Sequence, residues 1–406
     1  MHILIIPSER YVPKENHLHG IFQQHQAQAL VRAGYQIGVI SPFLRSLRLL
    51  REGLLDWPKG LEIEDEQGVA VLRFFGWQLP RVHRLIMGQW IRVGKILFRE
   101  YIKHNGQPDL VHAHNAMWAG MLALEIWEEW GVPYVLTEHS SAYGRGLVRP
   151  LELELTRKVC KGATTRLVVS PSLGNDLERV LGDSVLPWEW VPNILSGEFE
   201  KEIVTFSQAG RDDNSFRFLS IGSLDKNKAH TDLLQAFASR FKPESNIQLR
   251  IGGDGPLQED LVVLARNLQI DRQVVFLGRL KPDQVRAEMQ ACDVFVLSSH
   301  YETFGVVLIE ALACGKPVVA TKCGGPDWII HPANGLLVPV GDIDALGQAM
   351  VDIQNKFHQF DSHQIRHDCI AKFGEQAVIG QLASIYSNVL SASLEDRSTL
   401  MVKEPE

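Results

Sequence analysis

The chain opens on a short apolar run, Ile3 to Ile6, and then alternates such runs with segments of helical spacing. In the first half the runs are Ile3 to Ile6, Ile37 to Ile40, Asp109 to His114, Tyr134 to Thr137 and Leu167 to Ser170, with a helix predicted from about Gly20 to Ala33. Short runs that are mostly apolar read as strands buried on both faces, the pattern of a parallel sheet covered by helices. The second half repeats the pattern at Phe216 to Ile221, Gln248 to Ile251, Val274 to Leu277, Val294 to Leu297 and Val318 to Thr321. The expected fold class is α/β, with two Rossmann-like doubly wound domains. Between them Ser196 to Ser215 is polar and rich in turn formers, so the connection is expected there. The domains then run over 1–195 and 216–375. A C-terminal helix at about 376–394 is expected to pack back on the first, and 395–406 to form a disordered tail.

At 406 residues the chain exceeds one ordinary core, and 45% hydrophobic with 22% charged residues matches a soluble globular protein. The formal net charge of -7 argues against a nucleic-acid partner, because affinity for a phosphate backbone comes from clustered Lys and Arg. Five cysteines without a C-x-x-C pair suit neither a disulfide framework nor a structural zinc site, and fit a reducing cytoplasm. The first apolar run stops at Pro7, too short for a signal-peptide core, and no run approaches the ~20 residues of a spanning helix. Membrane contact is therefore expected to be peripheral at most. One segment offers it. From Arg81 to Lys103 a helical projection separates Val82, Ile86, Trp90, Val93, Leu97 and Tyr101 from Arg84, Arg92, Lys95, Arg99 and Lys103. Such a helix either lies on anionic lipid, helped by the basic apolar stretch Phe43 to Arg51, or packs its apolar face into the core.

Ligands of open α/β sheets bind beyond the carboxyl ends of the strands, where helix N-termini present amide N–H groups. The segment Ser298 to Ala313 follows the run Val294 to Leu297 and opens a helix near Phe304. The N–H groups of Thr303, Phe304, Gly305 and Val306 then form a phosphate cradle aided by the helix dipole. Two carboxylates flank it: Glu302 in the loop and Glu310 about two turns into the helix. Each can accept hydrogen bonds from sugar hydroxyls. Glu310 lies in a run of Val, Leu, Ile and Ala, where a carboxylate requires a partner.

Glu302 and Glu310, in the frame E-T-F-G-x-x-x-x-E-A-x-A, resemble the E-x7-E signature of the retaining family 4 glycosyltransferases with the GT-B fold, glycosyltransferases group 1. Phe218 to Phe237, Gly252 to Pro256, Val275 to Leu280, Gly324-Gly325-Pro326, Asn334 to Pro339 and Val191-Pro192-Asn193 resemble further elements of that family. The resemblance implies two domains facing a central cleft, a nucleotide diphosphate sugar (UDP- or GDP-linked) held by the second, and an acceptor hydroxyl of a glycan or glycolipid at the first. It also implies retention of anomeric configuration. By position, Glu310 is implied to bind the donor ribose, Glu302 the transferred sugar and Lys228 the diphosphate. Arg279 and Leu280 fall in the segment whose backbone reads the base. Ser223 stands where the family usually has arginine, and Ala229 where it has glycine. In the first domain His19-Gly20 matches a loop near donor phosphate and acceptor. His139 matches a histidine beside the reacting sugar, and His114 is placed on the acceptor side.

Metal is not expected. His17, His19, His112, His114 and His139 lack a Cys or second carboxylate at a ligand spacing, and Asp342-Ile343-Asp344, though formally D-x-D, reads as a helix N-cap. Two other functions stay open: a GT-B-like nucleotide-sugar-binding protein without transfer, prompted by Ser223 and Ala229, and a dinucleotide-binding oxidoreductase. Against the latter, no G-x-G-x-x-G follows the first run. Sugar, base, acceptor and oligomeric state are not written in any motif.

Overall fold

The computed structural model describes residues 1–7, 11, 21–46, 59–78, 83–182, 185, 187–201 and 215–401, the side chains of 83, 84 and 393–401 excepted. The chain divides into two compact units, residues 1–169, 173–194 and 378–406 in one and residues 170–172 and 195–377 in the other.

In the first unit β1 (His2–Ile6), α1 (Ile21–Arg32), β2 (Gln36–Ser46), β3 (Gly60–Glu66), β4 (Val69–Gln78), α2 (His83–Asn105) and β5 (Leu110–His114) lead to a kinked turn at 116–120. There follow α3 (Met121–Trp130), β6 (Tyr134–Glu138), α4 (Pro150–Gly162), β7 (Thr165–Val168), α5 (Pro171–Leu181) and β8 (Glu189–Trp190). The strands form one sheet in the order β3-β4-β2-β1-β5-β6-β7-β8, parallel except for the pair β3 and β4. The mostly apolar runs become the inner strands: every residue of β1, β5 and β6 is buried. Burying one such Val, Leu or Ile side chain contributes roughly 1.5–3 kcal/mol.

No strand was expected between Ile40 and Asp109, yet β3 and β4 fill part of that interval as an edge hairpin. Its turn, Gln67 (φ 57) and Gly68 (φ 85), has both central residues left-handed, as a tight hairpin requires. β3 was overlooked because it alternates, L-E-I-E-D-E, with alternate residues exposed, rather than forming a continuous apolar run. β2 also runs six residues past Ile40, paired with β4 up to Ser46 and Gln78.

Both segments named for lipid contact are placed at this sheet. Phe43 to Ser46 belong to the sheet and Arg45 is buried, while Leu47 to Arg51 fall outside the described residues. α2 turns Leu97 and Tyr101 into the core, with Ile86, Trp90 and Val93 partly covered. Of its cations, Lys95 pairs with Glu125 and Glu129 (3.2 and 2.5 Å), Arg99 with Glu129 (2.7 Å) and Lys103 with Glu100 (2.8 Å). Part of the apolar stripe is thus taken up by the core, while Leu85 and Ile96 of the same helix stay exposed. Among the described residues no helix is long and apolar enough to cross a membrane. β7 ends at Val168 instead of reaching Ser170, because Pro171 opens α5 and favours the first helical position.

The second unit contains α6 (Gly197–Glu200), β9 (Phe216–Ile221), α7 (His230–Arg240), β10 (Ile247–Gly252), α8 (Gln258–Asn267), β11 (Val274–Gly278) and α9 (Pro282–Ala291). It continues with β12 (Val294–Leu297), α10 (Val306–Ala313), β13 (Val318–Thr321), β14 (Gly335–Val338), α11 (Ile343–Asn355) and α12 (Ser362–Phe373). The six strands are all parallel, in the order β11-β10-β9-β12-β13-β14. Asp342 caps α11, its side chain accepting from Ala345 N–H at 2.9 Å. Of the expected connection, Ser196 to Lys201 are fastened to this unit rather than free. Arg366 donates to the carbonyls of Phe199, Glu200 and Lys201 at 2.8, 2.8 and 2.9 Å, and also to that of Ala313. Residues 202–214 lie outside the described residues. The last helix, α13 (Glu375–Met401), returns to the first unit, where Val378, Leu382 and Tyr386 share one core with Ile3, Val39 and Leu110.

The parallel strands of each sheet reverse their order once, between β1 and β5 in the first unit and between β9 and β12 in the second. Loops leaving such a switch point diverge and open a crevice beyond the strand ends.

Candidate functional site

In the second unit the loops flanking the switch are Gly222 to Ala229 and Ser298 to Gly305. They are tied together: His300 N–H donates to Asn227 O (2.7 Å), Asn227 Nδ2 to Tyr301 O (3.0 Å) and Ser298 Oγ to Lys228 O (2.9 Å). Lys228 Nζ lies 2.5 Å from Glu302 Oε1, which also accepts from Ser299 Oγ at 2.7 Å. The lysine and the first acid, assigned separate tasks on sequence, are thus partners across the switch point. The glutamate holds the ammonium in place, and an arriving anion can share it.

The loop after β13 closes on the same place. Glu302 N–H donates to Cys323 O (2.9 Å) and Gly325 N–H to Glu302 O (2.8 Å). A Cβ on Gly325 would come within 2.3 Å of Phe304 O, so only glycine permits this approach.

α10 starts at Val306, two residues later than expected, after Gly305 in the left-handed region (φ 96, ψ 62). Phe304 is buried with its ring 5.7 Å from that of Phe373, so it anchors the loop and can offer a ligand only its backbone. Thr303, Gly305 and Val306 stand with it at the helix start, where amide N–H groups lack intrahelical acceptors. Glu310 lies in the second turn. Burial pushes its carboxyl up to about 8, and it has no hydrogen bond or ion pair to any described residue. A partly covered carboxyl without a protein partner is an acceptor left for something else.

The Ser223 hydroxyl is engaged within its own loop. Its Oγ donates to Asp225 Oδ2 (2.6 Å), while Asp225 Oδ1 accepts from the N–H groups of Asn227 and Lys228 (2.8 and 3.2 Å). The serine therefore helps shape the lysine loop. Ala229 is left-handed (φ 50, ψ 39), a conformation that glycine adopts freely and alanine does not. The loops after β10 and β11 stack on this one. Leu224 N–H donates to Asp254 O and Gly253 N–H to Gly278 O, both at 2.8 Å, and a Cβ on Gly253 would be 1.8 Å from Gly222 O. Arg279 Nε is 3.7 Å from Asp254 Oδ2, and Leu280 packs on Gly252. Arg279 and Leu280 thus join the strand-end cluster through neighbouring loops.

In the first unit the loop after β1, with His19 and Gly20, falls outside the described residues. On β5, His112 and His114 share a face because side chains alternate, and their rings stack at 4.4 Å. His112 is fully engaged, with Nε2 2.7 Å from Thr137 Oγ1 and Nδ1 2.7 Å from Tyr386 Oη. His114 Nδ1 lies 2.9 Å from Nε2 of His139, which follows β6. Burial pulls His112 and His139 down to about 3 and His114 well below its ordinary value, so all three rings are neutral at pH 7. With the facing nitrogens of His114 and His139 bonded to each other, the three rings do not converge on a common point. Among the described residues no group of three His, Cys, Asp or Glu side chains is arranged to hold a metal ion.

Sequence reasoning missed two supports of this pair. Glu138 is buried and takes the N–H groups of Ala116, His139 and Ser140 at 2.8–3.0 Å. Burial pushes its carboxyl up to about 7 against the pull of those three amides. Asn115 Oδ1 accepts from His139 N–H at 2.9 Å. An acid ending an apolar strand was a visible signal for Glu138. The conformations of Asn115 (φ 70) and of Trp118 (φ 65, ψ -78), which are strained for non-glycine residues, had none.

Residues 202–357 match the family model described as glycosyl transferases group 1, and residues 22–194 that of glycosyltransferase family 4. The chain belongs to the group 1 glycosyltransferases, with the GT-B fold. Over 354 residues, 83% of this chain and 85% of the other, it is 27% identical to a putative teichuronic acid biosynthesis glycosyltransferase of Bacillus subtilis. Over 175 residues it is 33% identical to N-acetyl-alpha-D-glucosaminyl L-malate synthase of Bacillus anthracis. That match takes in 42% of this chain and 45% of the relative, less than half of its length. HepE of Anabaena, solved in complex with UDP, shares the fold with a TM-score of 0.71 over 95% of this chain and 99% of its own, at 18% identity.

For a group 1 glycosyltransferase, the grouping is informative. Lys228 and Glu302 touch, Thr303 to Val306 and Glu310 adjoin them on one loop and helix, and Ser223 serves that loop through Asp225. His114 and His139 touch in the other unit.

Proposed function

We propose that this group 1 glycosyltransferase moves a sugar from a UDP- or GDP-linked donor to a hydroxyl of a glycan or lipid-linked acceptor, with retention of configuration and without a metal. The observation that carries the reading is the Glu310 carboxyl, without a partner among the described residues, in the second turn of a helix whose N-terminus lies beside Lys228 and Glu302. In this reading Glu310 accepts hydrogen bonds from the ribose hydroxyls, and the amides at the start of α10 hold the diphosphate. Lys228 exchanges part of its hold on Glu302 for the diphosphate, offsetting charge that grows as the donor bond breaks. Glu302, released from full pairing, faces the transferred sugar. The relative assigned to teichuronic acid biosynthesis and the UDP bound to HepE support a nucleotide-sugar donor and a glycan acceptor.

A thermal-shift screen across nucleotides and nucleotide sugars tests it, since a ligand that binds only the folded state raises the melting point. A nucleoside diphosphate is expected to stabilise the wild type and not Glu310→Ala. That variant is also expected to show a raised donor KM and a lowered kcat in release of free nucleoside diphosphate. No stabilisation by any nucleotide, or unchanged kinetics in Glu310→Ala, would overturn the assignment.

A further inference from the structure

Nε2 of His114 and Nδ1 of His139 are both buried and without a hydrogen-bond partner among the described residues. They are the two outer ends of one hydrogen-bonded pair, joined at 2.9 Å through Nδ1 of His114 and Nε2 of His139. Leaving such atoms unmatched inside a protein is costly, so a pair that carries one at each end invites a functional explanation. His112, stacked on His114, does not relieve them, because its nitrogens are taken by Thr137 and Tyr386.

A neutral imidazole has one N–H and one lone pair. In one arrangement His139 Nε2–H donates to His114 Nδ1, which leaves a lone pair on His139 Nδ1 and an N–H on His114 Nε2. In the other His114 Nδ1–H donates to His139 Nε2, which leaves an N–H on His139 Nδ1 and a lone pair on His114 Nε2. The outer ends are therefore always one donor and one acceptor. Passing from the first arrangement to the second moves one proton from His139 Nε2 to His114 Nδ1. Water supplies a proton to His139 Nδ1 and takes one from His114 Nε2, so both rings stay neutral. The frame around them is held meanwhile: Asn115 and Glu138 fix the His139 amide, and the Phe22 ring lies 4.9 Å from the imidazole.

We propose that His114 and His139 work as one tautomerically coupled unit, in which His114 is a positioning residue that lets Nδ1 of His139 either donate to or accept from a hydroxyl of the sugar in transit. This deepens the transferase reading above and rests on it. A lone histidine whose inner nitrogen were fixed by a carbonyl or an amide could offer a hydroxyl only one polarity. The imidazole partner offers both.

The test uses the full chain with ring-15N-labelled histidine, the variants His114→Leu and His114→Gln, and UDP-glucose and UDP-N-acetylglucosamine as probes. Signals are assigned by comparison with His139→Gln. In the free wild type the two rings are expected in complementary tautomers, and a bound probe is expected to shift both together. In His114→Leu the His139 tautomer ratio should change and stop responding to the probe. Transfer should fall about tenfold in kcat with KM little altered, the size of one hydrogen bond made better in the transition state. His114→Gln, whose amide can donate or accept after rotation, should recover most of that loss and guards against a leucine variant that does not fold. His139 ring signals unchanged in a folded His114 variant, or a folded glutamine variant no better than leucine, would overturn the proposal. If neither probe binds, the transferase reading fails, while the complementarity of the two rings in the free protein still decides the coupling.

Discussion

The protonation of Glu310 gives the most exacting consequence of the site. Burial raises its carboxyl from the ordinary 4.5 to about 8, and no described residue donates a hydrogen bond to it. In the free protein it is therefore mainly protonated at pH 7. Two ribose hydroxyls donating to the ionised form favour that form and pull the bound-state pKa down. The sign follows. A group whose pKa falls on binding releases a proton, so affinity rises with pH while the free group is still protonated and levels off above about pH 8. The ionised fraction of a group of pKa 8 is roughly 1% at pH 6 and half at pH 8. The dissociation constant for UDP should then fall about fifty-fold over that interval, close to ~2.3 kcal/mol. Isothermal titration of UDP and GDP at several pH values measures it. Repetition in two buffers of different ionisation enthalpy at pH 7 should report nearly one proton released. The nucleotide's own phosphate titrates in the same range, so the decisive quantity is the difference between the wild type and Glu310→Gln, which keeps the shape and loses the proton. Parallel pH profiles for the two proteins would refute the argument that this acid meets the ribose.

Two backbone predictions follow from the loops that build the site. Ala229→Gly removes a left-handed strain of roughly 1–2 kcal/mol and gives back roughly 0.5–1 through the freer unfolded chain, so a net gain of about 0.5 kcal/mol and a Tm rise of about 1–2 °C are expected by calorimetry; a lowered Tm would show that the alanine methyl is needed where it is buried. Gly253→Ala places a Cβ 1.8 Å from Gly222 O and cannot be fitted without parting the loops after β9 and β10, so denaturant melts should show a loss of roughly 1–3 kcal/mol together with weakened UDP binding, whereas Gly106→Ala, left-handed but with open space, should cost only about 1 kcal/mol and leave binding intact.

What could be read from the sequence divides along a physical line. Inner strands of a parallel sheet are buried throughout and mostly apolar, so β12 and β13 were visible residue by residue and β1, β5 and β6 to within one residue, and with them the strand ends after which Glu302 and His139 fall. The edge hairpin was not visible in that way, because a half-exposed strand carries polar residues at every second place and resembles a loop unless its turn is recognised. The same distinction governs the site. Residue types disclosed that Lys228, Glu302 and Glu310 had chemistry to perform, but not that the first two hold each other while the third stands alone. That difference depends on loop geometry set by Gly305, Gly324 and Gly325, whose permitted conformations one-dimensional spacing does not record. Ser223 shows the limit most sharply. Judged by the residue it replaces, it looked like a lost phosphate contact; judged by its hydrogen bond, it is the first link of a chain through Asp225 to the backbone of Lys228. A substitution that removes a charge from a site can still stiffen the loop carrying the charge that remains, and only the bonded partner distinguishes the two.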